Sequence, residues 1–209
     1  MRALIEKSRQ FLEIPLGMAP RGLLLVAVLS LLPCYLFPLY DMTMFAPQYP
    51  DGLRLHIYSY KLDGGNHGQD VKEVNVLNHY IGMKDLDTAE FTEFKWIPFV
   101  VGALGLLFLR TAVLGKMAHL VDVLVLYVYF GLFSLWSFAY KMYWYGHNLA
   151  PTASVKVAAF TPPLFGYKKL ANFEVYSYPA IGSYALAAVV VVLLLALYMA
   201  WRQGRTQPV

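Results

Sequence analysis

The chain has 209 residues, of which 58% are hydrophobic and only 14% are charged, against about 25% charged residues in an ordinary soluble domain. This composition predicts an integral membrane protein and excludes a large soluble catalytic domain. The single cysteine, Cys34, excludes a disulfide framework, a cysteine-based zinc or iron–sulfur site and a covalently attached haem. The net charge of +4 at pH 7 does not discriminate between functions, because basic residues flank membrane spans in any case.

Four stretches are apolar and long enough to cross a hydrocarbon core of about 30 Å, which takes roughly 20 helical residues. The sequence therefore predicts an all-α integral membrane protein with four transmembrane helices. The predicted spans are Gly22–Tyr40, Trp96–Leu114, Ala118–Tyr140 and Ala180–Trp201.

The segment before the first span, residues 1–21, predicts a cytoplasmic interfacial helix, because Leu4–Ile14 is both amphipathic and basic. Basic residues also collect at the other predicted inner ends and in the tail, residues 202–209. By the positive-inside rule, both termini are expected in the cytoplasm. The rest of the chain then forms two folded extracytoplasmic segments, residues 41–95 and 141–179.

Ionisable residues are scarce inside the predicted spans. His119 and Asp122 begin the third span and Arg110 ends the second, so all three fit an interfacial position better than a proton path. A di-haem enzyme is disfavoured, because no other histidine lies near a span. The chain has no catalytic motif and no basic stripe, so we expect neither an enzyme nor a nucleic-acid-binding protein.

Histidine and methionine concentrate in the two predicted extracytoplasmic segments. Imidazole and thioether donors suit copper, and thioether selects Cu(I). The alternative explanation of this enrichment is the length of the two segments, which hold almost half of the chain and so contain many residues of every type. The donors there are His56, His67, His79, His147, Met42, Met44, Met83 and Met142.

The first extracytoplasmic segment predicts a short strand hairpin followed by a helix. Leu53–Tyr60 alternates apolar and polar residues and ends in a glycine turn. Asp70 with Glu73 predicts a capping box at the start of the helix. His79 and Met83 would share one helical face if the helix continued through Gly82, whereas a helix ending at this glycine would separate them.

Two further positions carry candidate ligands. Met42 and Met44 follow the first span and are either copper ligands or packing residues. His147 lies just beyond Gly146 among aromatic residues and is either a ligand or a hydrogen-bonded anchor. The residues after it, through Pro179, predict a folded loop lying against the first segment.

Five sequence blocks are distinctive in combination: Ala46–Leu53, Leu77–Met83, Tyr145–Leu149, Pro162–Leu164 and Ala171–Phe173. Together they resemble a family of bacterial four-span membrane proteins associated with nitrous-oxide-reductase maturation and copper delivery outside the cytoplasm. This resemblance implies a bacterial inner-membrane protein that takes part in copper-enzyme assembly. It points to His79, Met83 and His147 as metal ligands. After His147 it implies an acidic residue, a proline and a further polar residue, but the chain has Ala150, Pro151 and Thr152, so donors are missing there.

Two functions follow as expectations. The first is an accessory protein that handles copper on the extracytoplasmic face for cuproenzyme assembly. Its expected partners are membrane lipids and other membrane or periplasmic protein subunits. Its metal ligands would be drawn from His79, Met83, His147, Met42 and Met44. The second is a non-catalytic structural subunit of a larger respiratory, photosynthetic or monooxygenase membrane complex.

Overall fold

The computed structural model of the protein describes residues 1–170 and 173–206. Within these residues, four helices are long and apolar enough to cross a membrane, as the sequence predicts. Ala171 and Asn172 of the last resemblance block, and residues 207–209 of the tail, lie outside the described part. The four candidate spans are Met18–Leu36, Glu93–Leu114, Met117–His147 and Ile181–Gly204.

The described chain is mostly helical, with one small sheet. It divides into a helical unit, residues 1–33, 99–132 and 185–206, and a sheet unit, residues 34–98, 133–170 and 173–184. The helices are α1 (Arg2–Leu12), α2 (Met18–Leu29), α3 (Pro33–Leu36), α4 (Gln69–Ile81), α5 (Glu93–Leu114), α6 (Met117–His147) and α7 (Ile181–Thr206). The strands are β1 (Tyr40–Ala46), β2 (Tyr49–Ile57), β3 (Leu62–Gly64), β4 (Gly166–Leu170) and β5 (Phe173–Pro179).

The core of the helical unit is built from residues repeated at helical spacing. On α7, Val189, Leu193, Ala196 and Ala200 are fully buried, and steps of three or four residues place them on one face. Alanine at two of these positions permits close approach of neighbouring helix backbones. The buried residues of α5 are Val101, Leu104, Gly105, Phe108, Thr111 and Ala112.

The α5–α6 connection is tied to the residues that join α1 to α2. The Leu16 N–H donates a hydrogen bond to the Gly115 carbonyl at 2.7 Å, and the Met117 N–H donates to the Ile14 carbonyl at 2.9 Å. Gly115 has a φ of +62°, which glycine adopts without a steric penalty. These bonds hold the end of α1 beside the start of α6.

The sheet unit contains a five-stranded antiparallel sheet in the order β3-β2-β1-β5-β4. The sequence predicted only one short hairpin in an all-α protein and therefore underestimated the number of strands. Strands β1, β4 and β5 were not expected. In the register, β1 lies centrally, with Met42 opposite Leu55 on β2 and Ser177 on β5. Both extracytoplasmic segments of the prediction thus contribute to one sheet.

One face of this sheet is apolar and is covered by α4. Alternate residues on each strand share a face, and this face presents Met42, Leu53, Leu55 and Val175, which form a buried cluster with Val74 of α4. Burial of such side chains is the main stabilising contribution in a small unit of this kind.

Three local predictions need correction. Only Leu53–Ile57 of the predicted strand Leu53–Tyr60 is observed, as part of β2, which begins at Tyr49. The first span was predicted to continue to Tyr40, but β1 begins at this residue. The capping box does not form, because α4 begins at Gln69 and Asp70 lies within its first turn and not at the N-cap. The Asp70 carboxylate instead accepts hydrogen bonds at 2.8 Å from the Arg54 N–H and the Asn66 side chain.

Candidate functional site

Met42 and Met44 lie on the same face of β1, turned toward the apolar cluster under α4. Met42 is 7% exposed and belongs to the cluster itself, and Met44 packs against it. Their neighbours there are aliphatic side chains such as Leu53 and Leu55. The structure therefore places both thioethers as packing groups, which is the alternative that the sequence left open.

The segment with His79 and Met83 does not form one continuous helix. Helix α4 ends at Ile81, and Gly82 adopts the left-handed conformation with a φ of +75°. The Gly82 N–H donates to the His79 carbonyl at 3.2 Å, and the Met83 N–H donates to the Asn78 carbonyl at 2.8 Å. This is the Schellman arrangement, so the two side chains do not share a helical face.

Gly82 lies directly against the loop that follows His147. Its carbonyl accepts a hydrogen bond from the Ala150 N–H at 2.7 Å, and the Tyr80 carbonyl accepts one from Val155 at 2.9 Å. A Cβ on residue 82 would be 2.8 Å from the Ala150 carbonyl oxygen and 2.9 Å from its nitrogen. Glycine is therefore required both by the backbone conformation and by the close approach.

His147 is the last residue of α6 and lies on the protein surface. Its Nδ1 is 2.9 Å from the Tyr143 carbonyl oxygen, and its ring stacks on the Tyr143 ring with centroids 3.8 Å apart. Since a carbonyl can only accept a hydrogen bond, Nδ1 carries the proton and the lone pair of the neutral ring lies on Nε2. A backbone carbonyl orients many metal-binding histidines in this way.

The Gly82–Ala150 hydrogen bond thus joins the block Leu77–Met83 to the residue that directly follows the block Tyr145–Leu149. His79, in the last turn of α4, is exposed like His147, and Met83 is half-buried. Within residues 1–170 and 173–206, no group of three or more His, Cys, Asp or Glu residues is arranged to hold a metal ion. The arrangement offers surface imidazoles and one thioether, without a closed site.

A histidine–carboxylate pair on the polar face of the sheet was not predicted. His56 Nδ1 lies 2.7 Å from Asp41 Oδ1, across the β1–β2 pairing. Alternation along Leu53–Tyr60 correctly placed His56 on the polar face, but no local signal could pair it with a residue at the end of the first predicted span. Lys61 Nζ and Asp63 Oδ2 form a further ion pair at 2.5 Å. Asp63 on β3 lies opposite His56 on β2.

Comparison with known proteins gives no match to a family model, to a curated protein or to a solved structure. The resemblance to the copper-delivery family consequently stays a prediction carried by the sequence blocks alone.

Proposed function

We propose that the protein is a membrane-anchored accessory protein that holds Cu(I) on the extracytoplasmic face for transfer into a copper enzyme. The observation that carries the proposal is the hydrogen bond to Gly82, in the block containing His79, from Ala150, the residue directly after the block containing His147. Both imidazoles are exposed, as ligands that must reach a partner protein need to be. The four candidate spans would anchor the site in a bacterial inner membrane.

The proposed ligands are fewer than the sequence suggests. His147 would bind through Nε2, because its Nδ1 is engaged with a backbone carbonyl. His79 would supply the second imidazole, and Met83 is the thioether nearest to it in the chain. Met42 and Met44 are left out because they are packed in the apolar cluster. An incompletely closed copper site leaves room for a donor from the recipient protein.

The test is a Cu(I) titration of the purified full-length protein against a competing chromogenic chelator. We expect about one equivalent to be retained by the wild type, and retention to be lost in His79→Ala and in His147→Ala. The matched control is His67→Asn, since His67 is an exposed histidine in the same unit with a φ of +56°, which asparagine tolerates. Wild-type protein without retained copper, or an equal loss in the control, would contradict the proposal.

A second candidate function is that of a non-catalytic structural subunit of a larger membrane complex. It is favoured by aromatic residues exposed on α6, where Trp136 is 59% exposed, Tyr140 is 53% exposed and the two rings stack with centroids 5.7 Å apart. Stacked aromatic rings supply contact area at low entropic cost in protein interfaces. Under this function, mild detergent extraction would yield a stable larger assembly in native electrophoresis, and Trp136→Ala would dissociate it without changing copper retention.

A further inference from the structure

A groove of about 650 Å³ lies in the helical unit, between α1 and the first turn of α6. Ile5, Arg9 and Leu12 line it from α1, and Lys116 and His119 line it from the other side. None of these residues takes part in the proposed copper site. The groove is therefore a separate candidate binding site.

The apolar part of the groove is formed by Ile5, Leu12 and Ala118. Ile5 and Leu12 are seven residues apart, two helical turns, and so lie on the same side of α1. Ile5 is 63% exposed, and α1 is not itself long or apolar enough to count among the candidate spans. An amphipathic helix of this type places its apolar side at the boundary between headgroups and acyl chains.

The charged part of the groove is positive on balance. Arg9 Nε pairs with Glu13 Oε1 at 3.2 Å, which leaves the remaining N–H groups of the guanidinium for another acceptor. Within the described residues Lys116 has no ion-pair partner. Two cationic side chains and one carboxylate leave one formal positive charge, beside the half-buried imidazole of His119.

We propose that this groove binds one anionic glycerophospholipid. Arg9 and Lys116 bind the phosphodiester, and the glycerol and the first part of an acyl chain lie on Ile5, Leu12 and Ala118. Basic pockets beside membrane helices recognise anionic headgroups in this way. A free phosphate ion would match the charge but would leave the apolar side chains of the groove without a partner, so the combination favours a lipid.

The test is native mass spectrometry of the full-length protein in detergent, mixed with equimolar phosphatidylglycerol and phosphatidylcholine. We expect one retained phosphatidylglycerol, because the choline cation of the competitor neutralises the charge that Arg9 and Lys116 recognise. Arg9→Gln and Lys116→Gln should each lower this retention about fivefold, the effect of one basic residue near an anionic headgroup. Ala118→Phe, which keeps every charge but fills the groove, should lower it as well.

The matched control is Lys7→Gln, because Lys7 is an exposed basic residue of the same helix that does not line the groove. It should retain phosphatidylglycerol like the wild type. Equal retention of the two lipids would overturn the proposal, as would a loss in Lys7→Gln as large as that in Lys116→Gln. Displacement of the lipid by millimolar inorganic phosphate would assign the groove to a free anion instead.

Discussion

The carbonyl oxygen of Phe160 occupies the space where a side chain on residue 146 would begin. A Cβ built on Gly146 would be 1.8 Å from this oxygen, and the Phe160 N–H donates a hydrogen bond to the Gly146 carbonyl at 3.0 Å. The end of α6 and the loop that follows it are therefore in direct backbone contact. This contact holds the region around His147 in place.

Gly146→Ala is expected to destabilise the protein by about 1–3 kcal/mol or more, because the backbone must move to relieve the overlap with Phe160. Thermal unfolding in detergent, followed by circular dichroism, measures the change. The matched control is Gly131→Ala in the same helix, where a Cβ would meet nothing within 4 Å. A control variant as unstable as Gly146→Ala would show that the effect comes from the helix and not from Phe160.

Gly82→Ala should carry two penalties. Its φ of +75° is unfavourable for alanine, and its Cβ would overlap the backbone of Ala150. Gly68→Ala carries only the first penalty, since Gly68 has a φ of +85° and open space around it. We expect Gly82→Ala to be more destabilising than Gly68→Ala by about 1–3 kcal/mol. Equal unfolding temperatures for the two variants would mean that the contact with Ala150 contributes little.

Two substitutions at Met42 distinguish a packing role of its side chain from a metal-binding role. If Met42 packs in the apolar cluster, Met42→Ala should cost about 2–5 kcal/mol, whereas Met42→Leu keeps the volume and should cost less than about 1.5 kcal/mol. Met42→Leu removes the sulfur and should also leave Cu(I) retention unchanged, because this sulfur is a packing group and not a copper ligand. A loss of copper in Met42→Leu with unchanged stability would restore Met42 as a ligand.

The number of membrane-crossing helices could be predicted because the required length of apolar sequence is a local property. The sheet was harder to predict, since the pairing of β1 with β5 joins residues 129 to 139 positions apart. The alternation in β5, where Val175 and Ser177 are buried and their neighbours are half-buried or exposed, is visible in the sequence. The many prolines around it favoured a loop, and nothing local identified β1 as its partner.

In the candidate site, too, the features set by neighbouring residues could be predicted, and those set by tertiary contacts could not. The glycine at 82 identified the helix end as the weak point of the His79–Met83 pair, and the Schellman turn is a local feature of that glycine. The contact of Gly82 with Ala150 depends on tertiary packing and has no local signature. The burial of Met42 and the packing of Met44 against the cluster likewise follow from α4 covering the sheet.

The Lys61–Asp63 ion pair leads to a pH-dependent prediction. The hydrogen bond from Lys61 holds the pKa of Asp63 below its ordinary value of 3.8 and raises the pKa of Lys61 above 10.5. A lowered acid pKa stabilises the fold above pH 3.8, and this contribution is lost as the pH falls through the folded pKa. A raised lysine pKa stabilises it below pH 10.5, and this contribution is lost as the pH rises through the folded pKa.

Lys61→Gln should therefore be slightly less stable than the wild type between these limits, by about 0–1 kcal/mol, because both side chains are more than one third exposed. The difference should close in acid and again in strong base, as measured by urea unfolding across pH in detergent. Asp63→Asn removes the same pair from the other side and should give the same profile. Since His56 faces Asp63 across β2 and β3, the series is repeated in a His56→Gln background. A gap between wild type and Lys61→Gln that persists unchanged in acid would exclude the ion pair as its cause.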